Sequence, residues 1–123
     1  NNFEKNNIIL MNNTESKNLL NLYKYSQLYV FTSYCEVFGL TSLEAMSQSC
    51  PVLISETSAL PEINAKAADY FNPGDIIEIK DKIKKNLTDK SFRSNLIKNA
   101  NIHFKKFSWE DSINKTLNVI ESV

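Results

Sequence analysis

The chain has 123 residues, with 14 Lys and Arg side chains against 14 Asp and Glu, and 42% of its residues are hydrophobic. This length and composition fit one soluble globular domain, and the balanced charge offers no basic surface for nucleic acid or an anionic membrane. No stretch reaches the roughly 20 apolar residues that span a bilayer, and the start from Asn1 to Asn7 lacks the apolar core of a signal peptide. We therefore expect a cytoplasmic protein with no transmembrane segment and no nucleic-acid partner.

Cysteine, histidine and glycine are scarce. Cys35, Cys50 and His103 are too few for a tetrahedral metal site or a disulfide framework, so we expect no metal and two reduced, packed thiols. The only glycines are Gly39 and Gly74, whereas dinucleotide-binding loops need several glycines where the backbone approaches a pyrophosphate. The sequence therefore excludes a Gly-rich phosphate loop.

Four short apolar runs predict strands that are buried on both faces, as in a parallel sheet. They cover residues 8–11, 28–31, 52–54 and 70–71. Helical periods fall between them, one over 19–23 after Thr14 or Ser16 and one over 40–46 after a glycine turn. The alternation of strand and helix predicts a Rossmann-like α/β fold built from βαβ units.

The C-terminal third is predicted to be helical. Asp75 is a candidate cap for a helix that follows the Asn-Pro-Gly turn at 72–74, and further helices are expected after Ser91 and after Ser108. The apolar stripe expected on the first of these helices consists of Ile76, Ile79, Ile83 and Leu87. No linker or composition change divides the chain, so residues 1–123 are predicted to belong to one domain.

The segment between the second and third predicted strands carries the candidate chemistry. It places Glu36 on a loop, then Gly39 in a turn, then Glu44 in the first turn of a helix. Open α/β sheets bind ligands where such a loop leaves the carboxyl end of a parallel strand. The free amides and positive dipole end of the helix favour an anion such as a diphosphate.

Each glutamate has two interpretations from spacing alone. Glu44 either accepts hydroxyls of a ribose or closes a capping box with the Thr41 backbone amide. Glu36 either meets sugar hydroxyls and stabilises positive charge at a sugar carbon, or is a solvated loop acid. Cys35 has no basic neighbour in sequence to activate it as a nucleophile, and His103 near a helix end suits a dipole or packing role.

Five ordered motifs carry a resemblance to a known family. They are EVFGLTSLEAM at 36–46, PVLIS at 51–55, SALPEI at 58–63, FNPGD at 71–75 and FSW at 107–109. Together they resemble the C-terminal domain of the group 1 (family 4) glycosyltransferases. Those enzymes have the GT-B architecture, in which two Rossmann-like domains face each other across a cleft.

The resemblance implies transfer of a sugar from a nucleotide-sugar donor to an acceptor hydroxyl in polysaccharide biosynthesis, with retention of anomeric configuration and without a metal or other cofactor. A glycan or lipid-linked acceptor would be bound by an N-terminal domain that these residues do not include. Through such regions the protein would associate with the inner face of the membrane.

The resemblance also implies roles for individual residues. Glu36 would be the catalytic residue, close to the donor sugar hydroxyls and the reacting carbon. Backbone amides of Phe38, Gly39 and Leu40 would meet sugar and phosphate oxygens. The full set of donor-binding residues implied is Phe38, Gly39, Leu40, Thr41 and Glu44, with Thr41 at the diphosphate and Glu44 on the ribose.

Departures from the family pattern affect turns and charge. Ser49 stands where the family has glycine before the Pro-Val pair, and Met11-Asn12-Asn13 stands where glycine commonly follows the first strand. The family's Arg and Lys that hold the diphosphate lie upstream of these residues. We therefore expect an incomplete sheet and a chain that is inactive by itself.

Two other classes are considered. A non-catalytic Rossmann-like module that binds nucleotide or a protein partner stays open as an alternative. A signalling receiver domain requires an acidic cluster after its first strand, and because the first aspartate here is Asp69, that class is excluded.

Overall fold

The computed structural model describes residues 7–122, which form a small parallel sheet with helices around it. The three strands are β1 (Tyr29–Phe31), β2 (Val52–Ser55) and β3 (Asp69–Phe71), paired in the order β1-β2-β3. Three of the four predicted strands are thereby confirmed. The polar start over residues 1–6 and Val123 lie outside the described residues.

The middle strand is the centre of the core. Val30 pairs with Leu53 on one side, and Leu53 pairs with Asp69 on the other. All four residues of β2 are buried, because a central strand of a parallel sheet is covered on both faces. The largest fully buried apolar side chains are Phe71, Met46, Leu53, Ile54, Leu60 and Val52.

The prediction of a strand over residues 8–11 is wrong. These residues form no ladder, and Ile9 and Leu10 are 83% and 71% exposed. A strand needs a neighbour for its backbone groups, and none of the described residues pairs with this run. An apolar run by itself is therefore not enough to predict a strand.

Residues 7–122 also form six α-helices. They are α1 (Ser16–Tyr25), α2 (Leu40–Ser47), α3 (Leu60–Asn64), α4 (Ile76–Thr88), α5 (Lys90–His103) and α6 (Trp109–Glu121). Short 3-10 turns cover Ala65–Ala67 and Phe104–Lys106. The short α3, which has Pro61 in its first turn, was not predicted.

The N-caps of α4 and α6 are the predicted residues, whereas α5 begins earlier than predicted. The Asp75 carboxylate accepts from the amides of Ile77 and Glu78, as expected of an N-cap. The helix predicted after Ser91 begins two residues earlier, because the Asp89 side chain accepts from the Phe92 amide and caps α5 at Lys90. For α6, Ser108 accepts from the Asp111 amide as predicted.

The apolar stripe predicted on α4 is only partly covered. Ile79 and Ile83 are half-buried, but Ile76 is 80% exposed and Leu87 is 42% exposed. The fully buried side chain of α4 is instead Asn86. The apolar side chains of α6 are also exposed, so this helix has no apolar cover among residues 7–122.

Two turns that lack the family's glycine adopt left-handed backbone. Ser49 has φ 59° and Asn13 has φ 51°. Both positions therefore use the conformation that glycine adopts at low cost and that serine or asparagine adopts with some strain.

A buried acid lies at the start of β3. One oxygen of Asp69 accepts from Lys82 Nζ at 2.9 Å and from the Tyr70 amide at 3.0 Å, and the other accepts from Asn86 Nδ2 at 2.9 Å. Asp69 is 8% exposed. The network joins β3 to α4, and no functional role is needed to explain this carboxylate.

Candidate functional site

The loops that follow the three strands meet at the carboxyl edge of the sheet. The Ser33 carbonyl, after β1, accepts from the hydroxyls of Ser55 and Thr57, which lie at the end of β2 and just after it. The Tyr34 hydroxyl donates to the Pro73 carbonyl, after β3, at 3.0 Å. These bonds hold the loop that leads to Glu36 against its neighbours. This edge is where the topology of a parallel α/β sheet places a ligand.

The turn at Gly39 is shaped by close packing. Gly39 has φ 78°, and a Cβ built there would lie 2.6 Å from Leu60 Cδ2. Ser42 Oγ lies 2.7 Å from both the Gly39 carbonyl and Asn64 Oδ1, and both Ser42 and Asn64 are fully buried. The turn therefore requires glycine for its backbone and for its contact with α3.

The first turn of α2 leaves backbone amides free. Its N-cap is Gly39, which has no side chain to cap them. Among the described residues, the amides of Leu40 and Thr41 donate to no acceptor. Uncapped amides at a helix start, together with the helix dipole, form an environment that favours an anion.

The capping box considered for Glu44 does not form. Because α2 begins at Leu40, Thr41 is the second residue of the helix and Glu44 is the fifth. The prediction that Glu44 lies in the first turn is therefore wrong, and its carboxylate makes no cap hydrogen bond. A left-handed glycine starts this helix two residues before the position that the S/T-x-x-E pattern indicates.

The two glutamates have no partner within residues 7–122. Neither Glu36 nor Glu44 takes part in a side-chain hydrogen bond or an ion pair there, and Glu44 is exposed while Glu36 is half-buried. Burial raises the pKa of the Tyr29 phenol, its hydrogen bond to Thr41 lowers it, and the charges of Glu44 and Glu36 raise it further. Both carboxylates are therefore within electrostatic reach of one hydroxyl.

Phe38 connects the loop to the C-terminal segment. Its ring contacts Phe107 edge-on, with 5.9 Å between centroids, and Phe107 contacts the His103 ring at 5.5 Å. His103 Nε2 lies 2.7 Å from the Ile63 carbonyl in the last turn of α5, a position that suits the predicted dipole or packing role. Phe38 therefore has a structural side chain, while its backbone remains part of the glycine turn.

The two thiols differ in environment. Cys50 is buried as predicted, and burial raises its pKa to about 11. Cys35 is exposed, so the prediction that it is packed is wrong. It lies on the loop beside Glu36, where its Sγ is 4.0 Å from Ser58 Oγ.

Metal sites and membrane spans are not found in the described part of the chain. No three His, Cys, Asp or Glu side chains within residues 7–122 cluster as metal ligands would. Over the same residues, every helix is too short or too polar to cross a bilayer.

Two surface depressions lie away from the glycine turn. They have volumes of about 380 Å³ and 420 Å³, and each is lined by one helix, α6 in the first case and the start of α4 in the second. A single convex helix face does not enclose a ligand as a binding cleft does. The carboxyl edge of the sheet therefore stays the candidate site.

Tyr29 also belongs to this site, although its sequence position did not predict it. Its hydroxyl donates to Thr41 Oγ1 at 2.9 Å, which joins β1 to the start of α2. The available signal was a tyrosine in an otherwise apolar strand that directly precedes the loop, since a buried phenol hydroxyl needs a partner.

Comparisons with known proteins identify the family of this chain. The family model described as "Glycosyl transferases group 1" matches residues 2–103. The O-antigen chain mannosyltransferase B of Escherichia coli is 36% identical over 97 residues, covering 79% of this chain and 26% of that protein. The serotype-specific mannosyltransferase WbdA of Escherichia coli is 38% identical over 94 residues, covering 76% of this chain and 12% of that protein.

A solved structure matches the fold. Sucrose-phosphate synthase from Thermosynechococcus elongatus superposes with a TM-score of 0.84 at 23% identity, covering 94% of this chain and 30% of that one. The predicted fold class, a Rossmann-like sheet with helices as in a GT-B domain, is thereby confirmed. The chain spans about a quarter of the first of the two mannosyltransferases and about an eighth of the second. The family match over residues 2–103 shows that this chain belongs to the group 1 glycosyltransferases.

Proposed function

We propose that this chain forms part of the donor-binding domain of a retaining glycosyltransferase that transfers a hexose from a nucleotide sugar to an acceptor hydroxyl in polysaccharide biosynthesis. The observation that carries the proposal is the pairing of an uncapped helix start at Leu40 with two unpartnered carboxylates, Glu36 and Glu44. In a member of this family, the helix start suits a diphosphate, and each of the two carboxylates suits hydroxyl groups.

The reaction breaks the bond between the anomeric carbon and the diphosphate oxygen and forms a bond from that carbon to the acceptor oxygen. The acceptor proton passes to the departing diphosphate. The amides of Leu40 and Thr41 stabilise negative charge on the diphosphate, because they donate to no group among residues 7–122 and so require no rearrangement. Glu36 stabilises the positive charge that develops at the anomeric carbon.

Nucleotide and donor sugar have separate acceptors in this proposal. Glu44, one turn further along α2, accepts the ribose hydroxyls through an exposed carboxylate. The backbone of Phe38 and Gly39 contacts sugar and phosphate oxygens. We propose mannose as the transferred hexose, since the two Escherichia coli relatives are mannosyltransferases by name.

The proposal includes neither a metal nor turnover by this chain alone. In the described part of the chain, no Lys or Arg side chain pairs with Glu36 or Glu44 or bonds to the glycine turn. Basic groups and the acceptor site come from the rest of the protein, which acts in the cytoplasm at the inner face of the membrane. Charge neutralisation and substrate orientation account for much of the rate in such reactions.

Titration of the full-length protein with GDP, UDP and ADP tests nucleotide binding, and incubation with GDP-mannose, UDP-glucose and ADP-glucose plus a glycan acceptor tests transfer. We expect one nucleotide to bind and its sugar to be transferred with retention, in the presence of EDTA as well. Binding without transfer from any donor would favour the non-catalytic module instead. Binding of none of the three nucleotides would contradict the proposal.

A further inference from the structure

Thr41 differs from the other helical threonines in how its hydroxyl is used. Thr88 Oγ1 donates to the Lys84 carbonyl at 2.8 Å, and Thr116 Oγ1 donates to the Ser112 carbonyl at 2.9 Å. Both follow the common pattern in which a helical threonine bonds to the carbonyl four residues earlier. Thr41 makes no such bond within residues 7–122 and instead accepts from the Tyr29 phenol at 2.9 Å.

The hydrogen bond from Tyr29 leaves the Thr41 hydroxyl proton free to be donated to another group. A threonine hydroxyl has one proton to donate and lone pairs to accept with. Because Tyr29 fills one lone pair of Oγ1, the Thr41 proton stays uncommitted among the described residues. The Thr41 hydroxyl lies in the first turn of α2, as do the free backbone amides of Leu40 and Thr41.

Packing holds the Tyr29 ring in place for this role. The ring meets Tyr23 edge-on, with 5.3 Å between centroids, and stacks on Phe31 at 6.0 Å. The Tyr29 amide also donates to the Pro51 carbonyl at 2.9 Å. Burial and the nearby carboxylates of Glu44 and Glu36 raise the Tyr29 pKa, so the phenol keeps its proton at neutral pH.

We propose that Tyr29 is a positioning residue for donor binding, whose phenol holds Thr41 Oγ1 as an acceptor and so commits the Thr41 hydroxyl proton to the diphosphate at the start of α2. This inference rests on the proposed function, because it requires a diphosphate at that helix end. Tyr29 itself does not touch the ligand; it acts through Thr41.

The test is a double-mutant cycle in the full-length protein, read as the Kd for GDP, UDP or ADP, whichever the unmodified protein binds. Tyr29→Phe removes only the phenol oxygen and keeps the ring contacts. We expect a Kd roughly threefold to tenfold weaker, which is the range of one hydrogen bond. Thr41→Val should weaken binding by at least as much, and adding Tyr29→Phe to Thr41→Val should change the Kd by less than about twofold.

Two further variants separate positioning from folding. Thr41→Ser retains the hydroxyl and should retain both the affinity and the sensitivity to Tyr29→Phe. Tyr25→Phe makes the same chemical change at a tyrosine that is 79% exposed, and the Kd should stay the same. Thermal unfolding of every variant checks that a change in Kd does not reflect loss of the fold.

A Kd for Tyr29→Phe within twofold of the unmodified protein would overturn the positioning role and leave the proposed function intact. An equal loss on adding Tyr29→Phe to Thr41→Val would also overturn it, since Tyr29 would then act by a route other than Thr41. If the unmodified protein binds none of the three nucleotides, the proposed function fails and the positioning role fails with it.

Discussion

The carboxylates of this chain occupy two contrasting environments. At the start of β3, Asp69 receives three hydrogen bonds, from Lys82, Asn86 and the Tyr70 amide. At the carboxyl edge of the sheet, Glu36 and Glu44 receive none among residues 7–122. An acid whose acceptor capacity is already used stabilises the fold, whereas an unpartnered acid beside free amides is available to a ligand.

The largest effect on stability is expected from removing the hydrogen bonds of Asp69. Asp69→Ala leaves Lys82 and Asn86 without their acceptor in a region that is largely closed to water. We expect the free energy of unfolding to fall by about 3 kcal/mol in urea titrations, the lower end of the range for a broken buried pair, because Lys82 is partly exposed.

A matched control exists on α4. Asp81 lies 4.0 Å from Lys80, and both side chains are mostly exposed. Asp81→Ala should therefore change stability by less than about 0.5 kcal/mol. Similar losses for Asp69→Ala and Asp81→Ala would contradict the structural role assigned to Asp69.

Glu36→Gln tests whether the unpartnered carboxylate of Glu36 takes part in catalysis. The change removes the negative charge but keeps the shape, so we expect kcat to fall about a hundredfold while the nucleotide Kd changes by less than about threefold. The measurement is steady-state transfer with the full-length protein. Glu15→Gln, at an exposed acid that makes no cap bond to α1, should leave kcat unchanged. A kcat for Glu36→Gln equal to that of the control would remove Glu36 from the catalytic site.

Glu44→Ala should separate binding from stability. Because its carboxylate makes no hydrogen bond among residues 7–122, the Glu44 side chain should contribute less than about 0.5 kcal/mol to the free energy of unfolding. Loss of its acceptor oxygens should weaken nucleotide binding by about 1 to 3 kcal/mol, measured by isothermal titration. Glu121→Ala at the end of α6 serves as the control. A loss of thermal stability without a loss of affinity would assign Glu44 to the fold.

The smallest effect is expected at Asp75, which also follows a strand at the carboxyl edge but whose carboxylate already accepts two hydrogen bonds. Asp75 accepts from the Ile77 and Glu78 amides at 3.0 Å and 2.9 Å. Asp75→Ala should lower stability by about 1 kcal/mol, as for other N-caps, and leave nucleotide affinity unchanged. Weaker nucleotide binding in this variant would show that position at the edge, and not the lack of a partner, marks the functional acids.

Local patterns predicted most of the fold because the apolar run of β2 and the capping residues Asp75 and Ser108 can be recognised from the residues beside them. The run at 8–11 was mistaken for a strand because strand formation depends on a neighbour that no local pattern reveals. The start of α5 was misplaced because Ser91 and Asp89 are both good caps, and only the bond from Asp89 to the Phe92 amide distinguishes them.

The candidate site was predictable in its residue types but not in its geometry. The motif around Glu36 and Glu44 identified the loop and the helix. The helix predicted over 40–46 after a glycine turn is confirmed, since α2 begins at Leu40, but the S/T-x-x-E pattern offered a second start at Thr41 that spacing alone could not exclude. The Tyr29 contact with Thr41 joins residues 12 positions apart and depends on how β1 packs against α2.

The close approach of Leu60 to Gly39 constrains how this site can change over time. A methyl group at position 39 would collide with a fully buried leucine, and shortening that leucine would leave a void behind the turn. A smaller residue at position 60 would relieve the collision but not the positive φ at position 39, so a side chain there would stay strained whichever residue stands at 60. Sequence libraries that vary this loop should therefore keep glycine at position 39 and allow at position 60 only residues that fill the space behind the turn.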